Sequence, residues 1–234
     1  ARRDWIDDQL STLLPEYAQH LKRFQSALRQ RNKLLQERER DCRAQLAALD
    51  KPFCQDIFLI NQMRRAFLED INPHLAPAFK SIFCEEHHLE LRLESKLAHL
   101  SADEVYASFR EAQEKDLLAG STRKGPHRDD FVLLFDQFNA FEYCSLGQQK
   151  TSYLSLLFAY IELFRYKFTS FPIVLLDDVS GELDQNRWKR LVSYLQETRF
   201  QVLITTANEK FKEELEQIQD ANKLLVSSGS IQKI

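Results

Sequence analysis

A run of six residues, Phe171-Pro172-Ile173-Val174-Leu175-Leu176, ends abruptly in two acids, Asp177-Asp178. Four consecutive aliphatics offer no polar face to solvent, so the segment reads as a strand buried on both sides. Strands of that kind belong to parallel sheets covered by helices, and the residues at their carboxyl ends line the crevice where ligands bind. The surrounding sequence agrees. Residues 149–167 form a very apolar helical segment, 184–197 a helix, Phe200 to Thr205 a second buried strand and 208–219 another helix. A hairpin turning at Ser228-Gly229 closes the chain. Buried strands alternating with helices predict an α/β layer built on a parallel sheet.

The first third has a different grammar. Leu21, Leu28, Leu35, Cys42 and Leu49 recur every seven residues, with Tyr17 and Phe24 joining the stripe early. That spacing keeps one apolar stripe on a helix. The companion positions Arg31, Arg38 and Gln45 are polar, which makes a weak two-stranded seam. Asp50-Lys51-Pro52 is expected to break the helix. A second helix should return through Phe53, Ile57, Ile60, Met63, Phe67 and Ile71, ending at Asn72-Pro73. The pair reads as an antiparallel helical arm, with two ordinary helices of a bundle as the alternative. Leu89, Leu91 and Leu93 alternate with polar residues, so 87–94 reads as a strand. Ser101 and Glu104 form a capping box for a helix carrying Val105, Phe109 and Leu117, and Gly120 suits its C-terminal cap. Phe131 to Phe135 is a strand. The expected division is a helical arm domain over 1–120 and the α/β part over 121–234.

Composition limits the function classes. Lys and Arg number 32 against 35 Asp and Glu, a net −3, so any surface for nucleic acid must be local. Between residues 20 and 43 eight Lys/Arg face three Asp/Glu, a local +5 that is either a phosphate-facing stripe or a solvated helix face. Cys42, Cys54, Cys84 and Cys144 contain no CxxC pair, which argues against a disulfide framework or zinc site and for reduced thiols in the cytoplasm. No run approaches the ~18 apolar residues of a membrane span. The opening Ala1-Arg2-Arg3-Asp4-Trp5 reads as a cut within a longer protein.

Two segments carry chemistry. In nucleoside triphosphatases an acid such as Asp177 helps hold Mg²⁺, while a second such as Asp178 orients or deprotonates water. Adjacent carboxylates repel unless a cation or a shared proton relieves them, and a plain Asp-rich turn is the alternative. Ser145-Leu146-Gly147-Gln148-Gln149-Lys150 precedes the apolar helix. A small residue and a glycine at a helix start let backbone amides approach a phosphate, although Ser145 also suits a simple N-cap.

The order of the parts resembles the distal half of an ABC-type ATPase. Ser145 to Gln149 is similar to the signature, Val174 to Asp178 to Walker B, Ser180-Gly181-Glu182-Leu183-Asp184 to the D-loop, and Thr205-Thr206 to the switch. The Ser-x-Gly-Gln-Gln form and the block Thr122-Arg123-Lys124-Gly125-Pro126-His127-Arg128-Asp129-Asp130-Phe131 resemble the RecF family of SMC-like recombination mediators. Arg2 to Asp7 and Tyr17 to Leu35 are similar to that family's segments too, so the resemblance covers essentially the whole chain. It implies an α/β ABC/SMC-like head, in its carboxy-terminal part, with a helical arm.

That resemblance implies roles for individual residues. Asp177 would act with Mg²⁺ and Asp178 would orient water. Ser145, Gly147, Gln148 and Gln149 would contact the γ-phosphate of ATP held by the opposite protomer of an ATP-dependent homodimer. Asp184 would couple the two sites and Thr206 would sense the phosphate, with a helix N-cap and an ordinary strand residue as the respective alternatives. Lys124, His127 and Arg128 either meet DNA or nucleotide phosphate or pair with Asp129 and Asp130 as a structural knot. Lys124, Arg128, Arg29 and Arg31 are the DNA candidates. The family implies DNA repair and recombination at gapped or single-strand/double-strand junction DNA, and recombinase loading with RecO and RecR.

One departure bears on activity. No Gly-x-x-x-x-Gly-Lys-Ser/Thr loop occurs in the 234 residues, so the chain alone is expected to be inactive. A transporter-type ATPase subunit would show a different signature, a His switch and a short helical subdomain. A non-catalytic interaction fragment would keep arm and sheet without ATP chemistry.

Overall fold

The computed structural model describes residues 2–37, 40–178, 183–206, 221–227 and 229–233. The helix expected over 208–219 lies outside the described residues. Two compact units, each discontinuous in sequence, make up the chain: Ala1–Pro73 with Glu90–Leu134, and His74–Leu89 with Phe135–Ile234.

The first unit is mainly helical: α1 (Arg2–Leu13), α2 (Pro15–Glu37), much of α3 (Cys42–Phe83) and α4 (Ala102–Ala119). Pro15 opens α2 at the position where its missing N–H costs nothing. α2 and α3 run antiparallel, since Tyr17 meets Arg64, His20 meets Asp56, Phe24 stacks on Phe53 and Arg31 meets Asp50. The reversal, however, falls before Cys42 and not at Asp50-Lys51-Pro52. α3 runs unbroken through Pro52 and through Asn72-Pro73 to Phe83.

The reason is packing. A proline inside a helix costs about 3 kcal/mol, but Leu46, Phe53, Ile57, Ile60, Phe67, Ile71, Leu75 and Phe79 are buried along a helix that contains Pro52, Pro73 and Pro77. Each such side chain is worth roughly 1.5–3 kcal/mol on burial. Asp50 is a buried counter-ion, not a breaker. The seven-residue repeat is likewise no continuous seam, because Leu35 and Cys42 lie on different helices.

Other local expectations match. Ser101 and Glu104 complete both arms of the capping box on α4, and Gly120 takes the left-handed C-cap at φ 63°. β1 (Leu89–Glu94), β2 (Asp130–Phe135) and β3 (Phe138–Asn139) form a three-stranded sheet in that order.

In the second unit β4 (Val174–Leu176) and β5 (Val202–Ile204) are parallel, with Leu175 opposite Leu203. Between them lies α7 (Gln185–Glu197), which buries Trp188, Leu191 and Val192. The short α5 (Ala140–Tyr143) precedes α6 (Leu146–Phe168), whose Leu154, Phe158 and Ile161 are buried. β6 (Leu224–Ser227) and β7 (Ser230–Lys233) form the closing antiparallel hairpin.

The parallel pairing is as expected, but the burial is not. Val174 and Leu176 are 4% and 3% exposed, whereas Ile173 and Leu175 are 64% and 70% exposed. Leu203 on β5 is open as well. Successive strand residues point to opposite faces, so one face of this pair is packed and the other is bare.

Candidate functional site

The ends of β4 and β5 are fastened together. Thr205 N–H donates to Leu176 O (2.9 Å), and Asp178 N–H donates to both Thr205 O and Thr205 Oγ1 (3.2 Å each). The Thr205 hydroxyl in turn donates to Asp177 Oδ1. Asp178 sits at φ 44°, a left-handed conformation that Asp tolerates better than most residues. Both acids are thus held at the carboxyl end of a parallel pair with their side chains exposed. Hard carboxylate oxygens suit Mg²⁺, which is usually held by one or two carboxylates together with substrate phosphates. Among the described residues no group of three or more His, Cys, Asp or Glu could hold a metal ion. The two exposed carboxylates, Asp177 and Asp178, are a donor set of the kind that holds Mg²⁺ together with substrate phosphates. Thr205 touches Asp177, a contact that the sequence reading did not assign.

Ser145 caps α6 in a complete capping box. Its Oγ accepts from Gln148 N–H (3.3 Å), and Gln148 Oε1 accepts from Ser145 N–H (3.0 Å). Gln149 Nε2 donates to Phe141 O (3.2 Å) and Cys144 O (3.0 Å). The N-cap alternative for Ser145 is therefore realised, and both glutamine amides bond to nearby backbone. Capping uses the Ser145 oxygen as an acceptor, and the hydroxyl still carries a proton to donate. Lys150 Nζ lies 3.4 Å from Asp178 O, which makes the start of α6 a neighbour of the acidic end of β4. Asp184 caps α7, accepting from Arg187 N–H (2.9 Å), so its N-cap alternative is realised too. Thr206 follows β5 and is half-buried. Val179 to Glu182 lie outside the described residues.

The cation candidates separate. Arg31 is fully buried, with Nε on Asp50 (2.7 Å) and Nη1 on Asp116 and Thr122 (2.8 Å each), and its guanidinium lies over the Phe109 ring. A guanidinium enclosed in this way cannot reach a DNA phosphate, which corrects the expectation for Arg31. Lys124 is half-buried, with Nζ on Ser108 Oγ (2.8 Å), while Arg29 and Arg128 are exposed.

The block from Thr122 to Asp130 is a structural knot, but with partners other than those expected. Asp129 pairs with Arg64 (3.1 Å), Asp130 with Arg2, and the His127 carbonyl with Arg3. Arg64 also holds Asp7 (2.8 and 3.0 Å) and the Tyr17 hydroxyl (2.9 Å). Burial pushes the Tyr17 phenol well above its usual range and holds the His127 imidazolium below its own. Gly125 stands at φ 124°, where a side chain would be strained, and introduces the 3₁₀ turn Pro126–Arg128. A sequence signal for both buried arginines existed. Tyr17, Phe24 and Arg31 share a seven-residue spacing, and Arg64 falls on the stripe of Ile57, Ile60, Phe67 and Ile71. A charge on an apolar stripe needs a buried partner.

Comparison with known proteins follows the same lines. The family model described as RecF/RecN/SMC N terminal domain matches residues 7–225. The DNA replication and repair protein RecF of Oceanobacillus iheyensis is 30% identical over 241 residues, covering 98% of this chain and 64% of that protein. Its counterpart in Staphylococcus carnosus is 32% identical over 217 residues, covering 88% and 58%. A solved structure described as the recombination mediator protein RecF-ATPrS in the RecFOR pathway superposes with a TM-score of 0.80 at 25% identity. That superposition covers 100% of this chain and 62% of the other. The chain spans less than two thirds of the length of these relatives. No helix among the described residues is long and apolar enough to cross a membrane.

Proposed function

Since this chain belongs to the RecF/RecN/SMC family of SMC/ABC-type ATPases, we propose that it supplies the carboxy-terminal part of an ATPase head in a DNA repair and recombination protein. In this reading 1–120 is the helical arm and 121–234 the head portion, although 74–89 pack with the second compact unit and 121–134 with the first. The observation that carries it is the pair Asp177-Asp178, fixed by Thr205 at the carboxyl end of the parallel β4–β5 pair, beside the capped start of α6.

Asp177 would hold Mg²⁺, which when bound supplies positive charge against the phosphates. Asp178 orients the attacking water and accepts its proton. Ser145 donates its hydroxyl proton toward a γ-phosphate carried by a second protomer, and the amino-terminal end of α6, including Gly147, faces the same charge. Gln148 and Gln149 leave their local backbone bonds to join that contact. Asp184 communicates across the dimer and Thr206 senses the phosphate. Exposed Arg29 and Arg128, with Lys124, meet DNA at gaps or strand junctions, and RecO and RecR are the partners in recombinase loading. A phosphate-binding loop from outside these residues completes the site.

In the protein with that loop, Asp178→Asn should keep ATP binding and ATP-dependent dimerisation but lower turnover by roughly 10²-fold or more. Single-turnover hydrolysis beside nucleotide binding measures both. Unchanged turnover in Asp178→Asn removes the assignment.

A further inference from the structure

The cap of α7 and the turn ahead of α6 are joined by a chain of polar contacts within the second compact unit. Arg187, three residues past Asp184, holds Glu85 through two bonds, Nε to Oε1 (3.2 Å) and Nη2 to Oε2 (3.0 Å). The same Nε lies 3.7 Å from Asp184 Oδ2. Arg190 approaches Glu85 Oε1 (3.7 Å) and donates to the Phe83 carbonyl. On its other side Glu85 Oε2 lies 3.5 Å from His87 Nε2, and His87 Nδ1 lies 2.7 Å from Asp136 Oδ2. Asp136 Oδ1 accepts from His88 N–H (2.8 Å), and Asp136 N–H donates to His88 O (2.8 Å). The imidazole is packed against Phe135 at 4.4 Å and edge-on to Phe79 at 5.4 Å.

Both ends of this chain matter. Asp136 and Gln137 adopt φ 48° and 70°, forming the tight turn from β2 into β3. From there β3 and α5 lead directly to Ser145. At the other end Arg187 sits between the Asp184 carboxylate and Glu85. Arg187 and Glu85 are 19% and 29% exposed, and their contact is bidentate. Isolated exposed ion pairs contribute little, whereas bidentate geometry within a network is the recognised exception.

We infer that Glu85 and His87 are positioning residues, a strut that ties the Asp184 cap of α7 to the Asp136–Gln137 turn ahead of Ser145. The strut keeps the two motifs that face a second protomer in fixed register. Its role in turnover rests on the ATPase reading above, while the physical link does not. The contacts of the strut run to the Asp184 cap at one end and to the Asp136 turn ahead of Ser145 at the other, so it acts through Asp184 and Ser145.

Hydrogen exchange on this chain tests the link without nucleotide. In Glu85→Gln the bidentate pairing is weakened, and exchange should quicken roughly three- to tenfold at both Arg187–Trp188 and Gln148–Gln149. His87→Ala should quicken Gln148–Gln149 alone, because Arg187, Glu85 and Asp184 remain together. Arg187→Lys keeps the charge but loses the fork, and should resemble Glu85→Gln. Unchanged exchange at Gln148–Gln149 in both Glu85→Gln and His87→Ala overturns the strut. In the protein with the phosphate loop, Glu85→Gln should lower kcat roughly three- to tenfold with KM for ATP unchanged. A rise in KM at constant kcat overturns the positioning role. Failure of the ATPase reading itself would appear separately, as unaltered turnover in Asp178→Asn.

Discussion

Arg31 and Arg29 sit two residues apart on α2, yet their energetics differ in kind. Arg31 neutralises the buried Asp50 and Asp116 and bonds to Thr122 as well. Removing one partner from a buried ionic cluster costs about 3–5 kcal/mol because the remaining charge is stranded. Urea unfolding of Arg31→Ala should show a loss of that order. Arg29→Glu, on an exposed position, should stay within about 0.5 kcal/mol of the parent. If Arg29 meets a phosphate, its loss should flatten the salt dependence of duplex binding by about 0.9 in log–log slope. A normal urea midpoint in Arg31→Ala would return Arg31 to the surface. His127 adds a pH dependence to the same unit. Burial is the main cause that lowers its pKa, opposed by the Thr122 carbonyl and helped by Arg128. The unfolded imidazole takes up a proton as pH falls through about 6.5, before the folded one does. The contribution of His127 is therefore full above that value and is lost as pH falls toward the folded pKa. Urea midpoints at pH 7.5 and 5.5 should fall more for the parent than for His127→Gln, and equal falls would exclude His127 as the source.

At the level of elements, the ends of helices carry both structure and chemistry. Ser145 and Asp184 are each N-caps, a role worth about 0.5–2 kcal/mol, and in the function proposed above each would also meet a second protomer. Capping and function are separable at position 145. Ser145→Asp keeps a strong N-cap, so thermal stability should hold within about 0.5 kcal/mol. The same substitution sets a carboxylate where a γ-phosphate would bind, and should abolish ATP-dependent dimerisation of the protein with its phosphate loop. Sedimentation with and without Mg-ATP beside a melting curve measures both. Dimerisation that survives Ser145→Asp would mean that Ser145 is a cap and nothing else. α3 makes the complementary point about interiors: its buried stripe keeps it helical across Pro52 and Pro73, where local propensity alone favours a break.

For the molecule as a whole, the decisive quantity is charge around a triphosphate. This chain holds Asp177 and Asp178 near the start of α6 but no Gly-x-x-x-x-Gly-Lys-Ser/Thr loop to cradle the phosphates. Without those amides and that lysine, two carboxylates repel the nucleotide unless Mg²⁺ intervenes. Equilibrium dialysis of this chain with Mg-ATP should show no binding in the micromolar range, and sedimentation should not respond to nucleotide. Micromolar affinity would show that the nucleotide site lies elsewhere. The bare faces belong to the same scale. Ile173, Leu175 and Leu203 flank the parallel pair, and Leu224, Val226 and Ile231 stand open on the closing hairpin. Exposed apolar surface on short strands favours association, so nucleotide-independent self-association is the background against which the experiment is read.

The parallel pair, the capped helices and the order of acid, cap and turn were legible in the sequence because each depends on neighbours along the chain. An aliphatic run ending in Asp177-Asp178 names its own strand, Ser101 and Glu104 name their own cap, and Gly229 marks its own hairpin. Helix boundaries in the arm were not legible, since Pro52 and Pro73 are overruled by burial that only the packed partners provide. Nor was the fate of the cations. Arg31 and Arg64 stand on apolar stripes that Arg29 does not share, but no local pattern names the carboxylates that meet them, since Asp50, Asp116, Asp7 and Asp129 arrive from other segments. The contact between Thr205 and Asp177, and the strut from Arg187 through Glu85 and His87 to Asp136, join residues far apart in the chain. Local pattern records which residues can form an element, whereas pairing over such separations is decided by which elements fold against one another.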